Sequence, residues 1–203
     1  DSLVQVMSEM QIMHMIGCGI GVALIEQDYE DAALILRNAS IASEKAMDSD
    51  KNFDYCFVDA ALLNQIRRET EIKDQLISIA NNENNHELYL QFQPVFDAKI
   101  NKIQGFEALA RLRNEKFGIV APQEFIPLAE NTQLIVPIGL QIMSKACAFL
   151  KQLENEGYHD IKVAINVSAI QLFRNEFLED WFKTVNGAKV NIQNLLLELT
   201  EYV

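Results

Sequence analysis

Between residues 88 and 198 strand-like and helix-like patterns alternate, and no other feature constrains the fold of this chain as much. Apolar runs over 88–96 and 102–112, joined by a turn at 97–101, predict a hairpin. A short helix flanked by Pro122 and Pro127 follows, then a long helix over 136–156 closed by Gly157. A strand over 161–167, a helix over 171–184 and a strand over 194–198 complete the series. Parallel strands need a crossover and a helix supplies it, so such alternation builds a barrel or a doubly wound sheet, and the expected class is α/β.

Upstream the pattern is shorter. Residues 1–10 suit a short helix, and 12–25 read as a buried strand in which Gly17, Gly19 and Gly21 mark a kink or a close backbone approach. A nucleotide-loop reading of these glycines lacks the third Gly at its offset and the acidic residue that closes a βαβ unit. A helix over 31–47 and a strand over 55–58 make this a small α/β unit. Residues 60–80 form a charged amphipathic helix carrying Leu62, Leu63, Ile66, Ile72, Leu76 and Ile79, which runs into the polar Asn81-Asn82-Glu83-Asn84-Asn85, where a domain boundary is expected.

With 203 residues and 49% hydrophobic content the chain can bury a real core. A net charge of -12 disfavours nucleic acid polymers and anionic membranes, which need clustered Lys and Arg. A small anion is still accessible if a metal or a local Arg supplies positive charge. Cys18, Cys56 and Cys147 are far apart and odd in number, which fits neither a disulfide framework nor a zinc site and suits a cytoplasmic location. The longest apolar stretch, about 14 residues broken by His14 and glycines, is shorter than the roughly 20 that span a bilayer.

The chemistry centres on Gln104-Gly105-Phe106-Glu107-Ala108-Leu109-Ala110-Arg111, where a carboxylate and a guanidinium stand four residues apart on a strand. Asn166 and Glu198 also fall late in their predicted strands, so with Glu107 they are expected at one mouth of a parallel barrel, where βα loops collect chemistry. Two carboxylates and an amide oxygen are hard ligands suited to Mg²⁺ or Mn²⁺. Taken singly, each Glu also fits a solvated strand end, and Arg111 a surface ion pair. Asn166-Val167-Ser168 is a glycosylation sequon as well, relevant only to a secreted chain. His14, His86 and His159 share no ligand spacing, and Trp181 with Phe173, Phe177 and Phe182 reads as packing.

Five ordered segments within 86–203 resemble the EAL family of cyclic di-GMP phosphodiesterases: Leu90-Gln91-Phe92-Gln93-Pro94-Val95, Glu107-Ala108-Leu109-x-Arg111, Glu124-Phe125-Ile126-Pro127-Leu128-Ala129-Glu130, Asn166-Val167-Ser168 with Gln171-Leu172, and Glu198-Leu199-Thr200-Glu201. The resemblance implies a TIM-like (β/α) barrel with an antiparallel first strand, of which this chain holds the first half. It implies Glu107, Asn166 and Glu198 as ligands of Mg²⁺ or Mn²⁺, and Gln93 and Arg111 as contacts to cyclic di-GMP. Glu107 and Glu201 enter the catalytic set, Glu201 by anchoring a loop with further ligands. The family's later Asp-Asp pair, catalytic Lys and further Glu are not in this sequence, so the chain is expected to be a piece of a larger protein. A half barrel leaves a strand edge unpaired, an aggregation hazard.

Residues 1–60 resemble, more weakly, the C-terminal part of a degenerate GGDEF domain, through Gly19-Ile20-Gly21-Val22-Ala23, Asn38-Ala39-Ser40-Ile41-Ala42 and Glu44-Lys45-Ala46-Met47. That family's Ala-Asp stands here as Ala39-Ser40 and its Ala-Lys as Ala46-Met47, so no diguanylate cyclase activity is expected. The implied organisation is a GGDEF-like part over 1–60, a linker helix over 61–85 and half an EAL domain over 86–203. The leading expectation is hydrolysis of cyclic di-GMP to linear pGpG by the parent protein, this segment alone being inactive, with a homodimer through the EAL domain. The alternatives are an inactive cyclic di-GMP receptor, a regulatory GGDEF-EAL signalling protein, and a scaffold pairing through the 60–80 helix.

Overall fold

The computed structural model describes residues 18–25, 31–47, 53–84, 86–99 and 101–199. The expected helix at 1–10, the first part of the 12–25 strand, and Glu201 lie outside the described residues. The chain divides into two compact units between Glu69 and Thr70.

In the first unit strands β1 (Cys18–Val22) and β2 (Phe53–Phe57) pair in parallel, with helix α1 (Ala32–Met47) between them in sequence. The glycines of β1 serve close approach. A Cβ on Gly21 would lie 1.7 Å from the Ala39 carbonyl oxygen and one on Gly19 2.2 Å from that of Ser43, so α1 lies directly on the strand backbone. The Ser43 hydroxyl donates to the Gly19 carbonyl at 2.8 Å. The expectation of a buried strand is corrected: β1 is half-buried, with Ile20 50% exposed, and Leu24 and Ile25 beyond it are exposed.

Helix α2 (Ala60–Ala80) falls on its expected bounds. Its second half buries Ile72, Leu76 and Ile79 in the core of the second unit, at the i, i+4, i+7 spacing of one helix face. Gln75 donates to the Glu87 carboxylate and the Arg113 carbonyl, both at 2.7 Å, and Lys116 pairs with Glu71.

The second unit is built on one mixed sheet in the order β3-β4-β6-β7: β3 (Leu88–Asp97), β4 (Lys102–Asn114), β6 (Lys162–Val167) and β7 (Leu195–Leu199). β3 is antiparallel to β4, as the hairpin pattern predicts, whereas β4, β6 and β7 run parallel. The sheet is open. A short strand β5 (Gly118–Val120), unforeseen in the sequence, pairs antiparallel with the end of β4. Helices α3 (Pro122–Asn131), α4 (Ile135–Asn155), α5 (Ala169–Leu172) and α6 (Phe177–Ala188) make up the helical part, and α4 packs on β3, β6, α3, α5 and α6.

Ala108, Leu112, Val163, Ile165, Val167 and Leu195 face a core completed by Ile138, Met143, Leu150 and Trp181. Phe149 of α4 stacks on Phe92, centroids 3.6 Å apart, and meets Phe106 edge-on at 5.4 Å. α4 closes as a Schellman turn, with Gly157 at φ 93° and Tyr158 N donating to Leu153 O at 2.9 Å.

Three local expectations are corrected. Pro127 lies inside α3 rather than beyond it, because burial of Phe125 and Ala129 outweighs one lost backbone bond. The expected 171–184 helix is two helices, since a capping box at Ser168 starts the first turn early and the chain restarts at Phe177. Phe177 and Trp181 are core, but Phe173 is 84% exposed.

All three cysteines are free thiols; burial in α4 pushes the Cys147 thiol up to about 11, while Cys18 and Cys56 are only half-buried. Thiolate is the reactive form. Iodoacetamide at pH 8 should therefore label Cys18 and Cys56 in the native protein and spare Cys147 until denaturant is added, as read by peptide mass spectrometry.

Candidate functional site

Side chains alternate across a strand, so the positions opposite the core face of β4 are Glu107, Leu109 and Arg111. Gln93 is the register partner of Glu107 on β3, and Tyr89 that of Arg111. On β6, Ala164 lies beside Glu107 and Asn166 two residues further on, and Asn166 is in register with Glu198 on β7. Gln93, Glu107, Asn166 and Glu198 thus share one face across four neighbouring strands. Glu107 and Asn166 are half-buried, while Gln93 and Glu198 are exposed.

The Asn166 amide donates from Nδ2 to Glu107 Oε1 at 2.8 Å. Glu107 is not late in its strand, as the sequence had implied; β4 runs on to Asn114. The parallel pairing with β6 covers only Gly105 to Ala108, so Glu107 sits where the parallel ladder ends. Past that point β4 leaves β6, and a cleft of about 390 Å³ opens, lined by Glu107, Leu109, Arg111, Gln123, Asn166 and Ser168 with apolar walls from Phe125, Ile126 and Ile142.

Arg111 lines this cleft. Its Nε donates to Gln91 Oε1 at 2.8 Å and one terminal nitrogen to the Ala110 carbonyl at 2.9 Å, holding the guanidinium plane along β3. Glu107, Asn166 and Glu198 offer oxygen donors only, the ligand chemistry of Mg²⁺ or Mn²⁺. Among the described residues no cluster of three His, Cys, Asp or Glu side chains forms.

Residues without an expected role surround the end of β6. Ser168 caps α5: its hydroxyl accepts from Ile170 N at 3.3 Å and donates to Glu130, and its N–H donates to Gln171 Oε1 at 3.1 Å. Gln171 is buried against Gly139 of α4, where a Cβ would come within 1.8 Å of its amide nitrogen. The Ser168 and Gln171 spacing is a capping signal visible in the sequence; the pairing with Glu130, far away in the chain, is not.

The EAL domain model matches residues 72–203, more than half of the chain. This chain belongs to the EAL domain family. MucR of Pseudomonas aeruginosa, named a bifunctional diguanylate cyclase and cyclic di-GMP phosphodiesterase, is 28% identical over 92% of this chain and 27% of its own length. The cyclic di-GMP phosphodiesterase PdeL of Escherichia coli is 35% identical over 58% of this chain and 32% of its own. Among solved structures, the PaMucR phosphodiesterase in a c-di-GMP complex superposes with a TM-score of 0.58 at 30% identity, covering 63% of this chain and 52% of that one. The chain thus spans about a third or less of these two curated relatives.

An acceptor at position 107 is what the Asn166 amide requires of this EAL unit. Glu107→Gln should change unfolding free energy by less than about 1 kcal/mol, whereas Glu107→Leu, which strands the amide donor, should cost about 1–3 kcal/mol in urea denaturation.

Proposed function

We propose that this chain is part of a divalent-metal-dependent phosphodiesterase that hydrolyses cyclic di-GMP to linear pGpG. The alignment of Gln93, Glu107, Asn166 and Glu198 on one sheet face, beside a cleft that holds Arg111, carries the reading. Relatives named as cyclic di-GMP phosphodiesterases and a related complex with c-di-GMP supply the substrate.

Glu107, Asn166 and Glu198 would hold Mg²⁺ or Mn²⁺, which would lower the pKa of a water and neutralise charge at the phosphodiester. Arg111 binds a non-bridging phosphate oxygen pair through its fork, oriented by Gln91. Gln93, in register with Glu107, contacts the dinucleotide at the open edge of the same face. Asn166 holds the Glu107 carboxylate in place through Nδ2, and turning its amide presents the oxygen instead. The apolar wall of Phe125 and Ile126 excludes water from one side of the phosphate. Water attacks phosphorus in line and forms the new P–O bond, the P–O3′ bond breaks, and the freed 3′ oxygen takes up one proton to balance the one the water gives up. Glu201, outside the described residues, completes the catalytic set by the resemblance to the EAL family.

The first unit fits the C-terminal part of a degenerate GGDEF domain. A parallel β1–β2 pair with a glycine-seated helix between, and the reach of the MucR match over 92% of the chain, support this. With Met47 where that family carries Lys, no cyclase activity is expected. Residues 61–85 then join the two parts, with the half of α2 past Glu69 packed into the core of the second unit, and the protein acts in the cytoplasm, with dimerisation through the EAL unit. Among the described residues no helix is long and apolar enough to cross a membrane.

Incubation of the intact protein with cyclic di-GMP and Mg²⁺ or Mn²⁺, with nucleotides separated by chromatography, tests the reading. Linear product should form, and Glu107→Ala should lower turnover at least about 100-fold while the circular dichroism spectrum is kept. Binding without product would establish a receptor instead. Wild-type turnover in Glu107→Ala would sink the metal site.

A further inference from the structure

We infer that Glu130 is a positioning residue for the metal site: by accepting the Ser168 hydroxyl proton it fixes the end of β6 and, through it, the Asn166 amide. The inference rests on Asn166 serving as a metal ligand, as proposed above.

Asn166 and Ser168 are two residues apart where β6 ends, and both line the same cleft. Ser168 is almost fully buried, and its hydroxyl has one proton to give. Donating that proton to Glu130 turns the oxygen lone pairs toward Ile170 N, which the oxygen accepts at 3.3 Å. The two bonds leave the hydroxyl one orientation. The Ser168 N–H is held by Gln171, whose side chain is wedged against Gly139. The segment following Asn166 is therefore tied to α3 through Glu130 and to α4 through Gln171.

The place of Glu130 in its own helix indicates that the carboxylate is there for the tie and not for the helix. It is the penultimate residue of α3, a helix with no basic residue in its last turn. A carboxylate there faces the negative end of the helix dipole, which disfavours it. The capping box at Ser168 does not need Glu130, because the cap works through the Ser168 oxygen and the Gln171 side chain. Removing Glu130 thus leaves the cap in place and takes away only the anchor to α3. A side group that orients a metal ligand is commonly worth 10–100-fold in metal affinity.

Calorimetric titration of Mn²⁺ into the intact protein without nucleotide, with far-UV circular dichroism as the check on folding, tests this. Glu130→Ala should weaken Mn²⁺ binding about tenfold or more, and Glu130→Gln, which keeps an acceptor oxygen, should stay within about threefold of wild type. Glu130→Ala combined with Ser168→Ala should bind no more weakly than Ser168→Ala alone, because losing the Ser168 hydroxyl already removes the tie to Glu130. Should Glu130→Ala not fold, Glu130→Leu, which keeps side-chain volume and has no acceptor, takes its place against Glu130→Gln. Wild-type affinity in Glu130→Ala, or additive losses in the double variant, overturns the role of Glu130 alone. No Mn²⁺ binding by the wild type overturns the metal reading and this inference with it.

Discussion

Strand β4 cannot pair with everything along its length, and the rest of the EAL unit follows from how its 13 residues are shared out. One edge is taken by β3 from Lys102 to Leu112. The other is given to β6 in parallel over Gly105 to Ala108 and to β5 in antiparallel over Leu112 to Asn114. Between the two partners, Leu109, Ala110 and Arg111 border the cleft. The opening that reads as a binding site is thus the gap left when a strand changes partners. Its chemistry is also tied to the core: a slip of β4 by one residue would turn Glu107 and Arg111 inward and Ala108 and Leu112 outward. The burial that stabilises the sheet keeps the site in register.

Much of this was legible in the sequence wherever the determinants are local. The 60–80 helix and the β3–β4 hairpin follow from apolar periodicity and turn residues, and they appear within a residue or two of their expected bounds. The ordered arrival of Glu107, Asn166 and Glu198 on parallel strands is enough to put them on one face once the register is known. What the sequence did not disclose is set by contacts between distant segments. The three-residue β5 has too few residues for a periodicity. Pro127 inside α3 runs against local preference and is overridden by packing of Phe125 and Ala129. The pairing of Glu130 with Ser168 spans 38 residues and leaves no local pattern.

The two units differ in how their glycines are used. In the first, Gly19 and Gly21 let a helix rest on strand backbone, so their absent side chains are a packing requirement between main chains. In the second, Gly105 stands beside the Lys162 carbonyl, 2.7 Å from where a Cβ would stand, and allows β6 to draw up to β4 just before Glu107.

Gly139 is of another kind, and it bears on attempts to harden this protein. Within α4 a glycine weakens the helix by about 1 kcal/mol relative to alanine, so a designer optimising helices would replace it early. The space it leaves is filled by the Gln171 amide, which in turn holds the Ser168 N–H. A substitution scored as stabilising for the helix alone would evict that side chain and loosen the turn after Asn166. Helix stability and the order of the turn after Asn166 therefore draw on the same small space, and a more rigid helix at this position would give a looser turn beside the cleft.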